Sequence, residues 1–259
     1  MSTTGLAKAS RPTDTLEVPP PLRLDATSLF LDLDGTIAPL ALTPQAVGPN
    51  AARRRLLDAL LARLDGRLAV ISGRTLEDLD RVLEGRIPAL GAVHGLVRRR
   101  ANGEVIAAAG AEQVRQALDE VQAFAAADGC LLVEDKGLAV SLHYRRRPEA
   151  GPACHDFMCR LGARRGLTVQ EGDMVMEIRA PGPDKGAAVA AFMAEPPFAG
   201  HVPVFLGDDL TDEDGFRSVQ RLGGVGIVVG SRRPTQASFA LAGVDDARAW
   251  LSAAVECDG

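Results

Sequence analysis

The sequence predicts an α/β protein whose parallel central sheet is interrupted by an inserted α+β module. Near both ends of the chain, short apolar runs alternate with stretches of helical periodicity, which is typical of β-α-β units with right-handed crossovers. In the middle third, strand pairs joined by glycine-containing turns alternate with helices, which indicates antiparallel pairing. The two patterns together predict a parallel sheet plus a separate, smaller sheet.

Three segments follow from this change of pattern. Residues 1–22 contain several prolines and no apolar run, so we expect a flexible N-terminal segment there. Residues 23–96 and 182–259 would form the α/β core, and residues 97–181 would form the inserted module. The chain would return to the core through residues 180–183, which include two prolines and a glycine.

In the outer part of the chain, apolar runs predict buried parallel strands, and the periodic stretches between them predict helices. The predicted strands lie at the start of residues 29–40, within 67–74, at 88–93, within 202–209 and at 224–229. The predicted helices lie at 50–64 and 75–84, begin near 184 and 211, and close the chain at 245–255. Thr75 suits the N-cap of the second helix, with Asp78 three positions further on.

The inserted module is predicted to hold three strand pairs and two helices. The first pair spans residues 98–108, where Asn102-Gly103 predicts a type I′ hairpin turn. The remaining elements are a helix at 111–127, strands at 130–134 and 138–144, a helix at 152–165, and strands at 167–170 and 174–179.

Composition limits the classes of function. The chain has 259 residues, is 46% hydrophobic and 24% charged, and carries a formal net charge of −5, which argues against nucleic acid as a partner. The basic clusters at residues 98–100 and 145–147 are interpreted as solvated faces. No apolar run approaches the roughly 18 residues of a membrane span, so we expect no membrane partner.

The cysteines and the N-terminus favour a reducing compartment. The four cysteines show no CxxC spacing and no disulfide framework, which is typical of reduced thiols. The N-terminus lacks the apolar segment of a signal peptide. We therefore expect a cytoplasmic location.

Acidic and hydroxyl side chains follow several of the predicted parallel strands. Asp32 and Asp34 come directly after a buried run, and no Lys or Arg lies within several residues of them. A carboxylate at the end of a buried strand is costly unless a cation compensates it, so a metal ion is the natural candidate. Ser72 and the pair Asp208-Asp209 end two further strands, and ligands bind outside the carboxyl ends of such strands.

The order of these groups resembles the haloacid dehalogenase (HAD) superfamily of phosphatases. The resemblance rests on DxDGT at residues 32–36, Ser72, Lys185 and GDDxTDE at residues 207–213. Alone, Ser72 would be read as a turn residue, and Lys185 as a surface lysine beside a helix N-cap at Asp184. The two flanking motifs in one chain favour the catalytic interpretation and imply a Rossmann-like core with a cap domain.

The resemblance implies a role for each group. Asp32 would be the nucleophile that forms an aspartyl-phosphate, and Asp34 would protonate the leaving oxygen and then activate water. Ser72 and Lys185 would bind the phosphoryl group. Mg²⁺ would be held by Asp32, the backbone carbonyl of Asp34 and Asp208, with Asp209 or Asp212 as a further ligand or neighbour.

Within that superfamily, the chain resembles the trehalose-6-phosphate phosphatases. The carrying stretches are Ser72-Gly-Arg74, Gly91-Ala-Val-His-Gly95, Glu134-Asp-Lys-Gly137, His143-Tyr-Arg145, Gly172-Asp-Met-Val-Met-Glu177 and Lys185-Gly186. The resemblance implies that Glu134, Lys136 and Glu177 on the cap hold sugar hydroxyls. Arg74 and His94 would contact the substrate or the closed cap. His143 is left open between a packed structural role and one in the site.

One departure from the family pattern concerns His94. The family often has an acidic residue soon after its His-Gly pair, whereas Leu96, Val97 and Arg98 follow Gly95 here. This departure weakens the role given to His94 and leaves the catalytic residues untouched.

The expected activity is Mg²⁺-dependent hydrolysis of trehalose 6-phosphate to trehalose and phosphate, the last step of trehalose biosynthesis, by a monomer. Two alternatives stay open. One is another HAD sugar-phosphate phosphatase, of the sucrose-phosphate or mannosyl-3-phosphoglycerate type, since the arginines at 145–147 could bind a glycerate carboxylate. The other is a catalytically silent sugar-phosphate sensor or a regulatory subunit of the synthase. The intact set of nucleophile and proton donor argues against the silent protein.

Overall fold

The computed structural model describes residues 16–41 and 43–256, which form two sheets with helices packed on them. The strands are β1 Thr27–Leu31, β2 Leu68–Ile71, β3 Ala89–Ala92, β4 Val97–Arg99, β5 Val105–Ala107, β6 Leu132–Asp135, β7 Ala139–His143, β8 Thr168–Gly172, β9 Val175–Arg179, β10 Val202–Gly207, β11 Val225–Val229 and β12 Phe239–Leu241. The helices are α1 Ala51–Arg63, α2 Leu76–Leu83, α3 Ala111–Ala125, α4 Gly151–Arg165, α5 Lys185–Met193, α6 Asp212–Arg221 and α7 Val244–Glu256.

The larger sheet confirms the predicted α/β class. Its strand order is β12-β11-β10-β1-β2-β3-β4-β5, and the first six of these strands are parallel. Strand β1 lies at the centre, where Leu31 pairs with Leu206 of β10 and with Val70 of β2. All five predicted parallel strands are present; the sequence analysis missed β12, which has only three residues.

The hairpin of β4 and β5 corrects the predicted boundary of the inserted module. Strand β4 pairs antiparallel with β3, so the hairpin extends the core sheet instead of joining the module. The unpaired edge of β3 explains this placement, because β4 satisfies its backbone donors and acceptors. The insertion therefore starts after residue 108 and not at residue 97.

The turn of this hairpin also differs from the prediction. Gly103 has a φ of +88°, but Asn102 does not have the positive φ that a type I′ turn requires at both central residues. Gly103 N–H donates to the carbonyl of Arg100, and Arg100 N–H donates to the carbonyl of Glu104. The loop is therefore longer than the predicted two-residue connection.

The N-terminal segment is packed over part of the predicted flexible range. Ala240 N–H donates to the carbonyl of Glu17, and the indole of Trp250 donates to the carbonyl of Pro20. Leu16 and Leu22 pack against the apolar core. The prediction of flexibility is wrong for residues 16–22, and residues 1–15 lie outside the described part of the chain.

The smaller sheet belongs to the inserted module and has the order β6-β7-β9-β8, with every neighbouring pair antiparallel. One face is apolar and packs on α3 and α4 through Val140, Leu142, Met176 and Ile178. Because side chains alternate between the faces of a strand, the residues between these point to the opposite face, and several of them line the cleft against the core.

Side-chain caps fix the starts of the helices that lead to the site. Thr75 Oγ1 accepts a hydrogen bond from Asp78 N–H, and Asp184 Oδ1 accepts one from Ala187 N–H, as the sequence predicts. None of the helices in the described ranges is long and apolar enough to cross a membrane.

Candidate active site

A single cleft lies between the carboxyl edge of the parallel sheet and the polar face of the smaller sheet. From the core, it is lined by residues that follow β1, β2, β3 and β10 and by the start of α5. They are Asp32, Asp34, Ser72, Arg74, His94, Lys185, Asp208 and Asp209. From the inserted module, the lining includes Glu134, Lys136 and Glu177. The structure therefore brings these candidate residues of the sequence analysis to one cleft, with Asp212 buried behind it.

Lys185 connects the first and last acidic motifs. Its Nζ donates to Asp32 Oδ1 at 2.8 Å and to Asp212 Oδ1 at 2.6 Å, and its side chain is only 2% exposed. Although burial opposes its charge, Asp212 and Asp32 raise the pKa of Lys185 well above its usual range. The ammonium is therefore permanent in this site.

Three carboxylates crowd together around this ammonium. One oxygen from each of Asp32, Asp208 and Asp212 lies within 4.8 Å of the others. Burial raises the pKa of Asp32 to about 8 against the opposing charge of Lys185, and burial with the neighbouring acids raises that of Asp208 to about 7. The pKa of Asp212 is likewise raised well above its ordinary value, with burial as the largest cause. One ammonium against three carboxylates leaves a surplus of negative charge, and the group could hold a metal cation.

Of the two acids that the sequence left open beside Asp208, Asp212 is the one in this cluster. Asp212 Oδ2 accepts the backbone N–H groups of Asp208 and Asp209, which fixes it against the end of β10. Asp209 Oδ1 instead accepts hydrogen bonds from the backbone and hydroxyl of Thr211 and from the backbone of Asp212 at the start of α6. Asp209 thus orders the first turn of α6, and its contact with a metal stays a prediction.

Two glycines make room for the acids. Gly35 has a φ of +81°, and a Cβ on it would lie 2.1 Å from Asp208 Oδ2. A Cβ on Gly207 would lie 2.2 Å from Cγ of Asp212. Any side chain at either position would displace an acid of the cluster, which explains why glycine occurs in both motifs.

Asp34 points to Arg74. Arg74 Nε donates to Asp34 Oδ2 at 2.6 Å, and Nη2 donates to Oδ1 at 2.8 Å. Nη1 donates to the carbonyl of Pro44 and to the carboxylate of Asp78. The guanidinium thus makes four hydrogen bonds within the protein, and its predicted contact with substrate stays a prediction. Ser72 is buried beside this pair, and its Oγ accepts from Arg74 N–H at 3.3 Å.

The predicted sugar-binding residues lie in two hydrogen-bonded pairs on the inserted module. Lys136 Nζ donates to Glu177 Oε2 at 2.7 Å, and His143 Nε2 lies 3.0 Å from Glu134 Oε2. Burial opposes ionisation, but Lys136 lowers the pKa of Glu177 to about 2, and His143 and Lys136 lower that of Glu134. Both carboxylates are therefore charged, and their binding of sugar hydroxyls stays a prediction.

His94 reaches from the core to this group. Its Nε2 lies 3.4 Å from Glu177 Oε1 and 3.3 Å from the side-chain nitrogen of Gln170. Burial lowers the pKa of His94 to about 4, so the ring is neutral near pH 7. His143, which the sequence left open, contacts Glu134 within the site.

Sequence reasoning missed two residues of this group. Ser141 Oγ donates to Glu177 Oε2 at 2.7 Å, and Gln170 lines the cleft. Ser141 lies two positions before His143, so the strand alternation already places both side chains on one face. Only the pairing of the strands shows which residues they meet.

A buried carboxylate held by a lysine, an acidic cluster able to hold a metal, and a polar cap define a class of protein. This class is the HAD-type phosphatases, in which an α/β core carries an inserted cap. The family model described as "Trehalose-phosphatase" matches residues 30–245. The chain belongs to the trehalose-phosphatase family.

Relatives agree with this family. The chain is 42% identical over 228 residues to the trehalose-6-phosphate phosphatase of Escherichia coli, covering 86% of this chain and 84% of that protein. It is 40% identical over 228 residues to a probable trehalose-phosphate phosphatase of Sinorhizobium fredii, covering 87% of this chain and 85% of that protein.

Solved structures share the fold. A trehalose-6-phosphate phosphatase related protein superposes with a TM-score of 0.76 at 25% identity, over 89% of this chain and 97% of that one. The C-terminal domain of a Candida albicans trehalose-6-phosphate phosphatase superposes with a TM-score of 0.79 at 23% identity, over 89% of this chain and 93% of that one. The second likeness shows the fold alone.

Proposed function

We propose that this protein hydrolyses trehalose 6-phosphate to trehalose and phosphate. One observation carries the proposal: the Asp32–Lys185 pair and the acidic cluster share a cleft with Glu134, Lys136 and Glu177 of the cap. The first group suits phosphoryl transfer, and the second suits a neutral sugar with several hydroxyls. The names of the relatives support the same substrate.

Asp32 is the proposed nucleophile. Lys185 binds its Oδ1 and leaves Oδ2 to attack phosphorus, since no hydrogen bond to Oδ2 occurs among the described residues. The new bond joins Oδ2 to phosphorus, and the bond from phosphorus to the sugar oxygen breaks. Ser72 and Lys185 hold the phosphoryl oxygens during this step.

Asp34 is the proposed proton carrier. It gives a proton to the departing sugar oxygen and then takes one from the water that attacks the aspartyl-phosphate. That second attack breaks the bond between phosphorus and Oδ2, releases phosphate and restores Asp32. Arg74 fixes the position of Asp34 through both carboxylate oxygens.

The acidic cluster fits Mg²⁺. Mg²⁺ prefers oxygen ligands, and Asp32, Asp208 and Asp212 offer carboxylate oxygens within one small volume. Burial, together with the neighbouring acids, raises the pKa values of Asp32 and Asp208, so a cation bound there would stabilise their charged forms. When bound, the ion offsets the negative charge that the phosphate adds to the site.

A panel of sugar phosphates tests the proposal. Phosphate release is measured with excess Mg²⁺ on trehalose 6-phosphate, sucrose 6-phosphate, mannosyl-3-phosphoglycerate and glucose 6-phosphate, with Asp32→Asn as the inactive control. We expect trehalose 6-phosphate to have the highest kcat/KM by at least about tenfold. A higher kcat/KM for another sugar phosphate would show that trehalose 6-phosphate is not the preferred substrate. A wild-type protein that binds trehalose 6-phosphate without releasing phosphate would be a sensor.

A further inference from the structure

Four polar residues stand in register across the smaller sheet. Glu134 on β6 pairs with Ser141 on β7, Ser141 pairs with Glu177 on β9, and Glu177 pairs with Gln170 on β8. Residues that pair directly across strands share a face, so the four side chains form one row. We call Glu134, Ser141, Glu177 and Gln170 the polar row. Gln170 is the member of the row to which no role has been given.

Gln170 is the member of the row whose side-chain amide contacts the core. Its side-chain nitrogen lies 3.3 Å from Nε2 of His94, which follows β3. The His94 ring packs closely on Gly73, where a Cβ would lie 2.4 Å from the ring's Cε1. The contact of Gln170 with His94 therefore joins β8 of the cap to the core.

The same ring nitrogen lies close to Glu177. The distance from His94 Nε2 to Glu177 Oε1 is 3.4 Å, only slightly longer than its distance to Gln170. Glu177 Oε2 already accepts from Lys136 and Ser141, whereas Oε1 is buried beside His94 and has no hydrogen bond to any described residue. Oε1 is therefore the oxygen of Glu177 whose acceptor capacity is unused.

We propose that Gln170 is a positioning residue that engages His94 Nε2 and so keeps Glu177 Oε1 free for the substrate. A side-chain amide can donate or accept, so it can bond a neutral imidazole nitrogen in either tautomer. In the arrangement seen here the Gln170 amide nitrogen donates to His94 Nε2, so that ring nitrogen carries no proton. Without Gln170, the ring can carry its proton on Nε2, and a shift of a few tenths of an ångström would let Nε2 donate to Oε1 in place of the hydroxyl. This inference rests on the proposed function, since it assigns Glu177 to the sugar.

Gln170→Met tests the proposal with little change in volume. We expect KM for trehalose 6-phosphate to rise about tenfold, with kcat within about threefold and kcat/KM for p-nitrophenyl phosphate within about twofold of wild type. The matched control is Thr168→Val, an exposed position on the same face of β8, which should change none of these values. An unchanged KM in Gln170→Met would overturn the proposal. A fall in melting temperature with equal loss on both substrates would also overturn it, since it would indicate a purely structural role.

A second variant tests the route through His94. Asn tolerates the left-handed backbone of His94, whose φ is +56°, so His94→Asn removes the imidazole with little strain. In that background, Gln170→Met should change KM by less than about twofold. If the fold-changes in KM caused by the two substitutions instead multiply in the double variant, Gln170 does not act through His94.

The two proposals fail in different ways. If wild type turns over another sugar phosphate better, the proposed substrate is wrong, and the ratio of KM values between Gln170→Met and wild type is measured on that better substrate. If wild type favours trehalose 6-phosphate but the ratio is near one, only the role of Gln170 fails.

Discussion

Arg74 and Asp34 face each other with two parallel hydrogen bonds, Nε to Oδ2 at 2.6 Å and Nη2 to Oδ1 at 2.8 Å. Such a fork fixes both the position and the orientation of a carboxylate. Arg74 is only 5% exposed, and its Nη1 donates to the carbonyl of Pro44 and to the carboxylate of Asp78, so Asp34 is tied to the loop before α1 and to α2. The predicted proton carrier is therefore held by the core and not by the cap.

Replacing Arg74 should consequently damage chemistry on every substrate. In Arg74→Lys the charge remains, but the fork is lost, and Asp34 is no longer oriented. We expect kcat to fall by about 10- to 100-fold on both trehalose 6-phosphate and p-nitrophenyl phosphate, with KM for the sugar phosphate within about threefold. Steady-state kinetics on the two substrates measures this. A rise in KM confined to the sugar phosphate would instead support the direct substrate contact that the sequence analysis predicted.

Asp32→Asn should remove nearly all turnover and leave the fold intact. The amide cannot form the phosphorylated intermediate, but it is nearly the same size and relieves the repulsion with Asp208. The melting temperature of the metal-free variant should equal or exceed that of wild type. A variant that keeps about a tenth of the wild-type rate would contradict the role of nucleophile.

The acidic cluster also predicts how stability depends on pH without metal. The folded pKa values of Asp32 and Asp208, about 8 and about 7, lie above the ordinary 3.8, so the folded state binds more protons than the unfolded chain between these limits. Stability is therefore present at low pH and is lost as pH rises through 7 to 8. Burial lowers the pKa of His94 to about 4, so His94 makes stability rise with pH up to about pH 6.5, its ordinary pKa. The fall in stability caused by the two aspartates is therefore unopposed by His94 only above about pH 6.5.

We expect the melting temperature of the metal-free protein to fall by about 5 °C from about pH 6.5 to about pH 8.5. Excess Mg²⁺ should remove most of this fall, because the cation compensates the carboxylates. Thermal melts in the presence of chelator or Mg²⁺ measure both effects, and Asp32→Asn should show a shallower slope than wild type. A melting temperature that rises over this pH range without metal would show that the cluster is not repulsive.

The fold and the catalytic motifs could be predicted because they depend on local sequence. The apolar run before Asp32 specifies a buried strand, and the carboxyl edge of a parallel sheet gathers the groups that follow each strand. The hairpin at Val97–Ala107 was assigned to the wrong unit because its residues specify a strand pair but not the edge that the pair joins.

Other parts of the site depend on tertiary geometry that no local pattern encodes. The choice between Asp209 and Asp212 depends on which acid orders the first turn of α6. The polar row could not be derived, because a shift of one residue in strand register would turn each member to the other face. The paired hydrogen bonds between Arg74 and Asp34 join residues that are 40 positions apart, and they depend on how the two side chains are directed in the folded chain.

The contrast between Asp212 and Asp209 is testable. Asp212 belongs to the cluster, so Asp212→Asn should raise the Mg²⁺ concentration for half-maximal activity by about tenfold or more. Asp209→Asn keeps an oxygen that can accept from Thr211, so we expect a change of less than about threefold. Mg²⁺ titrations of activity, together with the Mg²⁺-induced shift in melting temperature, measure the difference. A larger effect of Asp209→Asn than of Asp212→Asn would indicate that Asp209 contacts the metal.

Glu134 should separate recognition of the sugar from the chemistry. It lies on the cap, beside His143, and among the described residues it has no hydrogen bond or ion pair with the acids around Asp32, so we expect its loss to leave the phosphoryl site unchanged. In Glu134→Ala we expect kcat/KM for trehalose 6-phosphate to fall by about 100-fold, because a charged acceptor for a sugar hydroxyl is lost. For p-nitrophenyl phosphate, which has no sugar, the value should stay within about threefold. Glu112→Ala, an exposed acid on α3 of the same module, is the matched control and should change neither value. Equal losses on both substrates in Glu134→Ala would mean that the cap acts on the chemistry and not on the choice of sugar.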